Sequence, residues 1–276
     1  MVGASVHFHL HWPRVTPRYD ETSISRRQFL TVAGVGAAGA LAAGCDVGGV
    51  RDALALTADG RLTARPGAPT GTIASGEQPL SMGDGRDGLL YVPASYDASR
   101  PAPLVLMLHG ASGSATGALR PFRSLADEAG LVLVAPESRG VTWDAIRAGY
   151  GPDIAFIDRV LASVFRRVAV NPERLTIEGF SDGATYALGV GLTNGDLFKR
   201  VVAFSPGFIP MVQPHARPSI FVSHGTRDQI LPIDQCSRRI VPELQRARYA
   251  VQYKEFDGPH TVPQEIAREA IAWMAS

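Results

Sequence analysis

Cysteine is nearly absent from this chain, with only Cys45 and Cys236 in 276 residues, and that excludes a disulfide framework. Charge is also sparse and balanced. Charged residues make up 19% and the formal net charge is +1, so there is no basic face of the kind nucleic acid requires. Internal repeats are missing, and no second core pattern is visible. The apolar, Ala/Gly-rich run from Phe29 to Ala43 is shorter than the roughly 20 residues a membrane-spanning helix needs. What remains is 45% hydrophobic, an ordinary composition for a globular domain.

The apolar run is read as a targeting feature. Ser25-Arg26-Arg27-Gln28-Phe29-Leu30 ahead of it is a twin-arginine signature, so residues 1–44 are expected to be an export signal peptide. The run ends on Leu41-Ala42-Ala43-Gly44-Cys45, which resembles the lipobox of bacterial lipoproteins, although Ala42 stands where that motif prefers leucine. The resemblance implies a lipid on Cys45 and membrane attachment; ordinary signal cleavage or an uncleaved anchor are the alternatives. The expected location is the periplasm or cell envelope. His7, His9 and His11 alternate within the leader but have no acidic or cysteine partner nearby, so no metal site is expected.

Residues 45–72, rich in Gly, Ala, Pro and Thr, read as a tether, which leaves 73–276 as the folded domain. Two weak strands are expected around Ile73 to Met82 and Leu89 to Val92. Buried-type runs then alternate with helical patterns. The strands are Leu104 to Leu108, Leu131 to Ala135, Leu175 to Glu178, Val201 to Phe204, Ser219 to Ser223 and Val251 to Phe256. The helices are Leu119 to Ala129, Asp153 to Val168 with Asp153 as its cap, Ala184 to Leu192, Asp234 to Arg248 and Pro263 to Met274. Such alternation predicts one α/β domain, a mostly parallel doubly wound sheet with helices on both faces.

In parallel sheets reactive groups gather at the carboxyl ends of strands. Gly179-Phe180-Ser181-Asp182-Gly183 follows one strand and opens a helix, the context in which a G-x-S-x-G turn presents its serine. His224-Gly225-Thr226-Arg227-Asp228 and Asp257-Gly258-Pro259-His260 follow two later strands. Ser181, Asp228 and His260 thus appear in the chain order of a nucleophile, an orienting carboxylate and a base. Asp257 is the rival carboxylate. After Leu104 to Leu108 comes His109-Gly110-Ala111-Ser112-Gly113, and the backbone N–H groups of Ala111 and Asp182 are the expected oxyanion donors. The same loop lacks the Lys and Ser/Thr ending of a phosphate-binding loop. Trp143, Asp144, Tyr150 and Asp153 are candidates for lining a substrate pocket, against packing for the aromatics and helix capping for Asp153. His109 is a substrate-binding candidate that, like His224, equally suits a structural hydrogen bond.

Taken together, Leu-His-Gly, Gly-Phe-Ser-Asp-Gly, His-Gly-Thr-Arg-Asp-Gln-Ile-Leu-Pro and Gly-Pro-His-Thr-Val-Pro resemble the α/β-hydrolase superfamily. The likeness is greatest to its phospholipase/carboxylesterase group, with some to esterases of the polyhydroxyalkanoate-depolymerase type. It implies an α/β-hydrolase fold and a serine esterase that cleaves small or polymeric esters without metal or cofactor. Thioesterase, acyltransferase or peptidase activity remain open, as does a non-catalytic binding protein on a hydrolase fold. Only Pro206 to Pro218 separates two strands between which many relatives insert a lid, so no cap domain is expected.

Overall fold

Strand β3 (Ala102–Leu108) shows why the sheet forms: all seven of its residues are buried, and it has a parallel neighbour on each side. A strand covered on both faces gains from aliphatic side chains at every position, where a half-exposed strand would alternate. The structure, a computed structural model, describes residues 59–276 apart from Asp84 and Met211. The expected signal peptide, Cys45 and the tether up to residue 58 lie outside the described residues.

Around β3 the sheet adds β1 (Gly76–Pro79), β2 (Gly88–Val92), β4 (Val132–Pro136), β5 (Val170–Phe180), β6 (Arg200–Phe204), β7 (Ser219–Gly225) and β8 (Val251–Phe256). The spatial order is β1-β2-β4-β3-β5-β6-β7-β8, with eight strands in one sheet among the described residues. From β4 to β8 every pairing is parallel, and β1 and β2 form an antiparallel edge. The expected mostly parallel sheet is therefore what the chain forms.

Six α-helices accompany it among the described residues: α1 (Ala115–Leu119), α2 (Arg123–Ala129), α3 (Pro152–Phe165), α4 (Asp182–Thr193), α5 (Ser237–Arg246) and α6 (Gln264–Ala275). Helices α1, α2 and α6 bury Leu119, Leu125 and Ile271 with Val202, Phe204 and Phe221 on one face of the sheet. Each such side chain contributes about 1.5–3 kcal/mol by leaving water. Helix α4 covers the opposite face. A Cβ at Gly191 would stand 2.5 Å from Val201 and 2.9 Å from Ile177, and Val201 alternates with the Val202 of the first cluster. Between β6 and β7, residues 205–218 contain no helix or strand among those described, so the connection expected to be lidless carries no cap.

Three local expectations change. The single helix expected over Leu119 to Ala129 is two, because Pro121 has no N–H to donate and its ring would clash with the preceding turn. Helix α1 instead starts earlier, where the Ser114 hydroxyl accepts from Gly117 N at 3.2 Å. Helix α5 starts at Ser237 because Pro232 to Cys236 close tighter turns, Gln235 N to Pro232 O and Cys236 N to Ile233 O. Finally, the described part of the segment read as a tether is docked. Leu62 is 2% exposed, its N–H donates to Asn194 Oδ1, and Asp158 accepts from the N–H groups of Thr63 and Ala64.

Candidate active site

Strand β5 delivers Ser181 into a bend sharp enough that few residue types could flank it. Ser181 has φ 58° and ψ −122°, a conformation a non-glycine residue adopts only under constraint. Its N–H still bonds across the sheet to Phe204 O at 2.9 Å, while its C=O already accepts from Thr185 N at 3.0 Å in the first turn of α4. Strand and helix thus meet at one residue. A Cβ at Gly179 would lie 2.2 Å from Gly183 O, and one at Gly183 would lie 2.0 Å from Leu108 O, so the glycines are required by contact.

Two loops on the β7–β8 side reach the serine. Thr226 N donates to Phe256 O and Arg227 N to Gly258 O, which stitches the loops after β7 and β8 to each other. Gly225 permits that approach, since a Cβ there would sit 2.4 Å from Gly258 O. The result is a chain of side chains. His260 Nε2 is 2.9 Å from Ser181 Oγ, and His260 Nδ1 is 2.5 Å from Asp228 Oδ2. Asp228 is 6% exposed and is fixed by two backbone donors, Ile230 N and Leu231 N, on Oδ1. The rival Asp257 is largely exposed and pairs with Arg227 at 3.0 Å instead.

Buried His224 lies under this arm. Its Nε2 is 2.7 Å from Leu231 O, an atom that can only accept, so Nε2 carries the proton and Nδ1 accepts from Ser237 Oγ at 2.6 Å. Burial holds its pKa below the ordinary histidine value. Its Nε2 also lies 3.2 Å from Asp228 Oδ2, so the neutral ring braces both the carboxylate and the loop that carries it.

On the other side of Ser181 the polar groups turn inward. His109 Nε2 accepts from Ser138 N at 3.0 Å and Nδ1 is 2.7 Å from Gly110 O. Trp143 is fully buried, donates to His109 O at 2.8 Å and stacks between His109 and Tyr186. Asp153 accepts from Arg139 N at 2.5 Å and Asp144 N at 2.7 Å. Asp153 therefore does not cap α3. Asp144 does, since its Oδ2 accepts from Gly151 N and Asp153 N and its Oδ1 from Tyr186 Oη. Neither Trp143 nor Asp153 lines the cavity beside the site, and their polar atoms bond to backbone groups of the framework; His109 alone of the three stands on its wall.

That cavity, ≈ 360 Å³, opens between α1, the end of β5 and the His260 loop. Ala118, Phe122, Phe180 and Val262 make its wall largely apolar, and His260 stands on its rim beside the Phe180 ring at 4.7 Å. Ser181 is next to the cavity and not part of its lining. Gly110 comes close to the serine, since a Cβ on it would lie 3.3 Å from Ser181 Cβ. Ser112 N and Gly113 N are bonded to Val141 O and Gly110 O, whereas no acceptor among the described residues takes the N–H of Ala111 or of Asp182. The sequence reading missed one lining residue of consequence, Glu178. Its signal is a carboxylate in the buried stretch of β5, between Ile177 and Gly179.

A family model described as phospholipase/carboxylesterase matches residues 154–273. Among curated proteins, the probable feruloyl esterase C of Aspergillus niger is 26% identical over 171 residues, covering 59% of this chain and 61% of that one. The feruloyl esterase C of Emericella nidulans is 28% identical over 159 residues, 55% of this chain and 58% of its own. The match thus spans less than two thirds of these relatives' length. Among solved structures, the S-formylglutathione hydrolase of Staphylococcus aureus superposes with a TM-score of 0.60 at 17% identity, over 74% of this chain and 99% of that one. The chain has the α/β-hydrolase fold.

Proposed function

We propose that the protein is a serine esterase that cleaves carboxylic esters through an acyl-enzyme on Ser181. The observation that carries this reading is the unbroken relay Ser181 Oγ, His260 Nε2, His260 Nδ1, Asp228 Oδ2, with separations of 2.9 Å and 2.5 Å, ending beside an apolar cavity. The esterases among its relatives support it.

In this reading His260 Nε2 takes the Ser181 proton as Oγ attacks the ester carbonyl. Asp228 keeps the proton on Nδ1 and stabilises the imidazolium. The unpaired N–H groups of Ala111 and Asp182 bind the oxyanion of the tetrahedral intermediate. His260 then protonates the leaving alcohol as the C–O bond breaks, leaving the acyl group on Oγ. Water attacks the acyl-enzyme by the same route, releasing the acid and returning the proton to Ser181. Each step uses groups of this chain. Export through the twin-arginine leader with a lipid on Cys45 belongs to the same proposal, on the strength of the leader motif alone.

The test is labelling by a fluorophosphonate together with turnover of p-nitrophenyl acetate. Wild type should do both, and Ser181→Ala neither, with its thermal transition retained. A labelled or active Ser181→Ala variant overturns the assignment.

A further inference from the structure

The carboxylate at the end of the relay is touched by a second histidine that no step of the reaction uses. His224 is fully buried near the end of β7, and Ser237, fully buried at the start of α5, stands over its Nδ1. The hydroxyl donates to that nitrogen at 2.6 Å, which leaves the ring proton on Nε2. Nε2 lies 2.7 Å from Leu231 O and 3.2 Å from Asp228 Oδ2, so one N–H faces two acceptors, the carbonyl being the nearer.

Asp228 is thereby held at both oxygens. Oδ1 accepts from Ile230 N at 2.9 Å and Leu231 N at 2.8 Å, and Oδ2 lies between His260 Nδ1 at 2.5 Å and His224 Nε2 at 3.2 Å. Leu231 gives its N–H to the carboxylate and its C=O to His224, so imidazole, loop and carboxylate close a circuit. A carboxylate oxygen that faces two donors holds each less tightly than it would hold one. His224 supplies a dipole and no charge, since burial keeps its pKa below the ordinary histidine value. Two further titratable groups face this pair. Burial pushes the Cys236 thiol on α5 up to about 11, and the Arg238 guanidinium holds Glu255, opposite His224 on β8, below the ordinary carboxyl value. Neither changes charge between about pH 5 and 8, which leaves the two histidines and Asp228 as the groups that matter there.

We propose that His224 is a positioning residue of the relay: one N–H, fixed by Ser237, holds the Leu231 loop and shares Asp228 Oδ2 with His260, keeping the carboxylate aimed while loosening its grip on the imidazolium. This rests on the esterase reading above and adds two side chains to it. A histidine that merely filled the space under the loop would have no effect on when His260 takes up a proton.

The experiment follows kcat/KM for p-nitrophenyl acetate against pH, whose acid limb reports protonation of the catalytic base in the free enzyme. The midpoint of that limb does not depend on the fraction of enzyme that is folded. His224→Leu removes the N–H, so Asp228 should hold the imidazolium more tightly and the limb should move up by roughly half a pH unit. Its kcat should fall on the order of 10-fold as the carboxylate loses its aim, with KM little changed. His224→Gln, which returns an N–H donor to the same place, should leave the limb close to that of wild type. His224→Met, which also lacks the donor and repacks more readily, takes the place of His224→Leu if that variant does not fold. A limb that stays at the wild-type midpoint without the donor overturns the proposal, as does an equal upward shift in His224→Gln. If wild type hydrolyses no ester, the esterase reading fails; the His260 ring titration followed by NMR in Ser181→Ala, with and without His224→Leu, then reads the His224 proposal by itself.

Discussion

The two sides of Ser181 carry nearly the same residue types at equivalent places and use them in opposite ways. After β3 and β4, His109 and Asp153 spend both ring nitrogens and both carboxylate oxygens on backbone partners. After β7 and β8, His260 and Asp228 bond to each other and the histidine to Ser181. A histidine between two backbone groups cannot exchange a proton without breaking a loop contact. A histidine between a carboxylate and a hydroxyl can. What separates a catalytic candidate from a structural residue here is therefore the identity of the partner, more than burial or position along the sheet, and even the backbone-locked His109 stands on the cavity wall.

Substitution on each side should break this contrast in different measures. Asp228→Asn is expected to have the largest effect. Asparagine preserves an acceptor for Ile230 N and Leu231 N but presents an amide N–H₂ toward His260 Nδ1, which favours the tautomer that cannot take the serine proton. A fall in kcat of about 10⁴-fold with a nearly unchanged melting temperature is the outcome to look for. Loss of folding in place of loss of turnover would mean the two sides are alike. Asp153→Asn should do the reverse. One of Arg139 N and Asp144 N loses its acceptor in a buried loop, costing about 1–3 kcal/mol in denaturant unfolding. Its kcat on p-nitrophenyl acetate should stay within several-fold of wild type, and a drop as deep as that of Asp228→Asn would show that the framework takes part in the chemistry.

The sequence discloses the side that carries Ser181, Asp228 and His260 better than the side that carries His109 and Asp153, for a physical reason. Ser181 lies in a turn whose two glycines are demanded by contacts of 2.2 and 2.0 Å, and such local demands leave a local pattern. Asp228 and His260 follow because strand ends in a parallel sheet converge. Asp153, by contrast, reads as a helix cap from its position before an amphipathic run, yet Asp144, nine residues earlier, takes that role. Composition misleads in the same way at 59–72, where Gly, Pro and Thr suggest a free tether. The acceptors that dock it, Asp158 and Asn194, lie 94 to 132 residues away and leave no trace in the segment itself. Glu178 escapes notice because a strand is read from its aliphatic residues, and which face a single polar one occupies depends on the register with β3 and β6.

The smallest effect separates two kinds of buried titratable group, Glu178 without a partner among the described residues and His224 with three. Glu178 has a native pKa above its unfolded value near 4.5, so the native state binds its proton more tightly than the unfolded state does. Its stability contribution is complete below pH 4.5 and declines as the pH rises toward the raised native pKa. His224 is shifted down from 6.5, so its contribution is complete above pH 6.5 and declines as the pH falls and the unfolded ring takes up a proton. Glu178→Gln removes the first dependence and leaves the second. Its denaturant midpoint should match wild type near pH 4 and exceed it increasingly toward pH 8. Parallel wild-type and variant curves across that range would mean that Glu178 is satisfied in solution, and with that the distinction between the partnered and the unpartnered buried group would disappear.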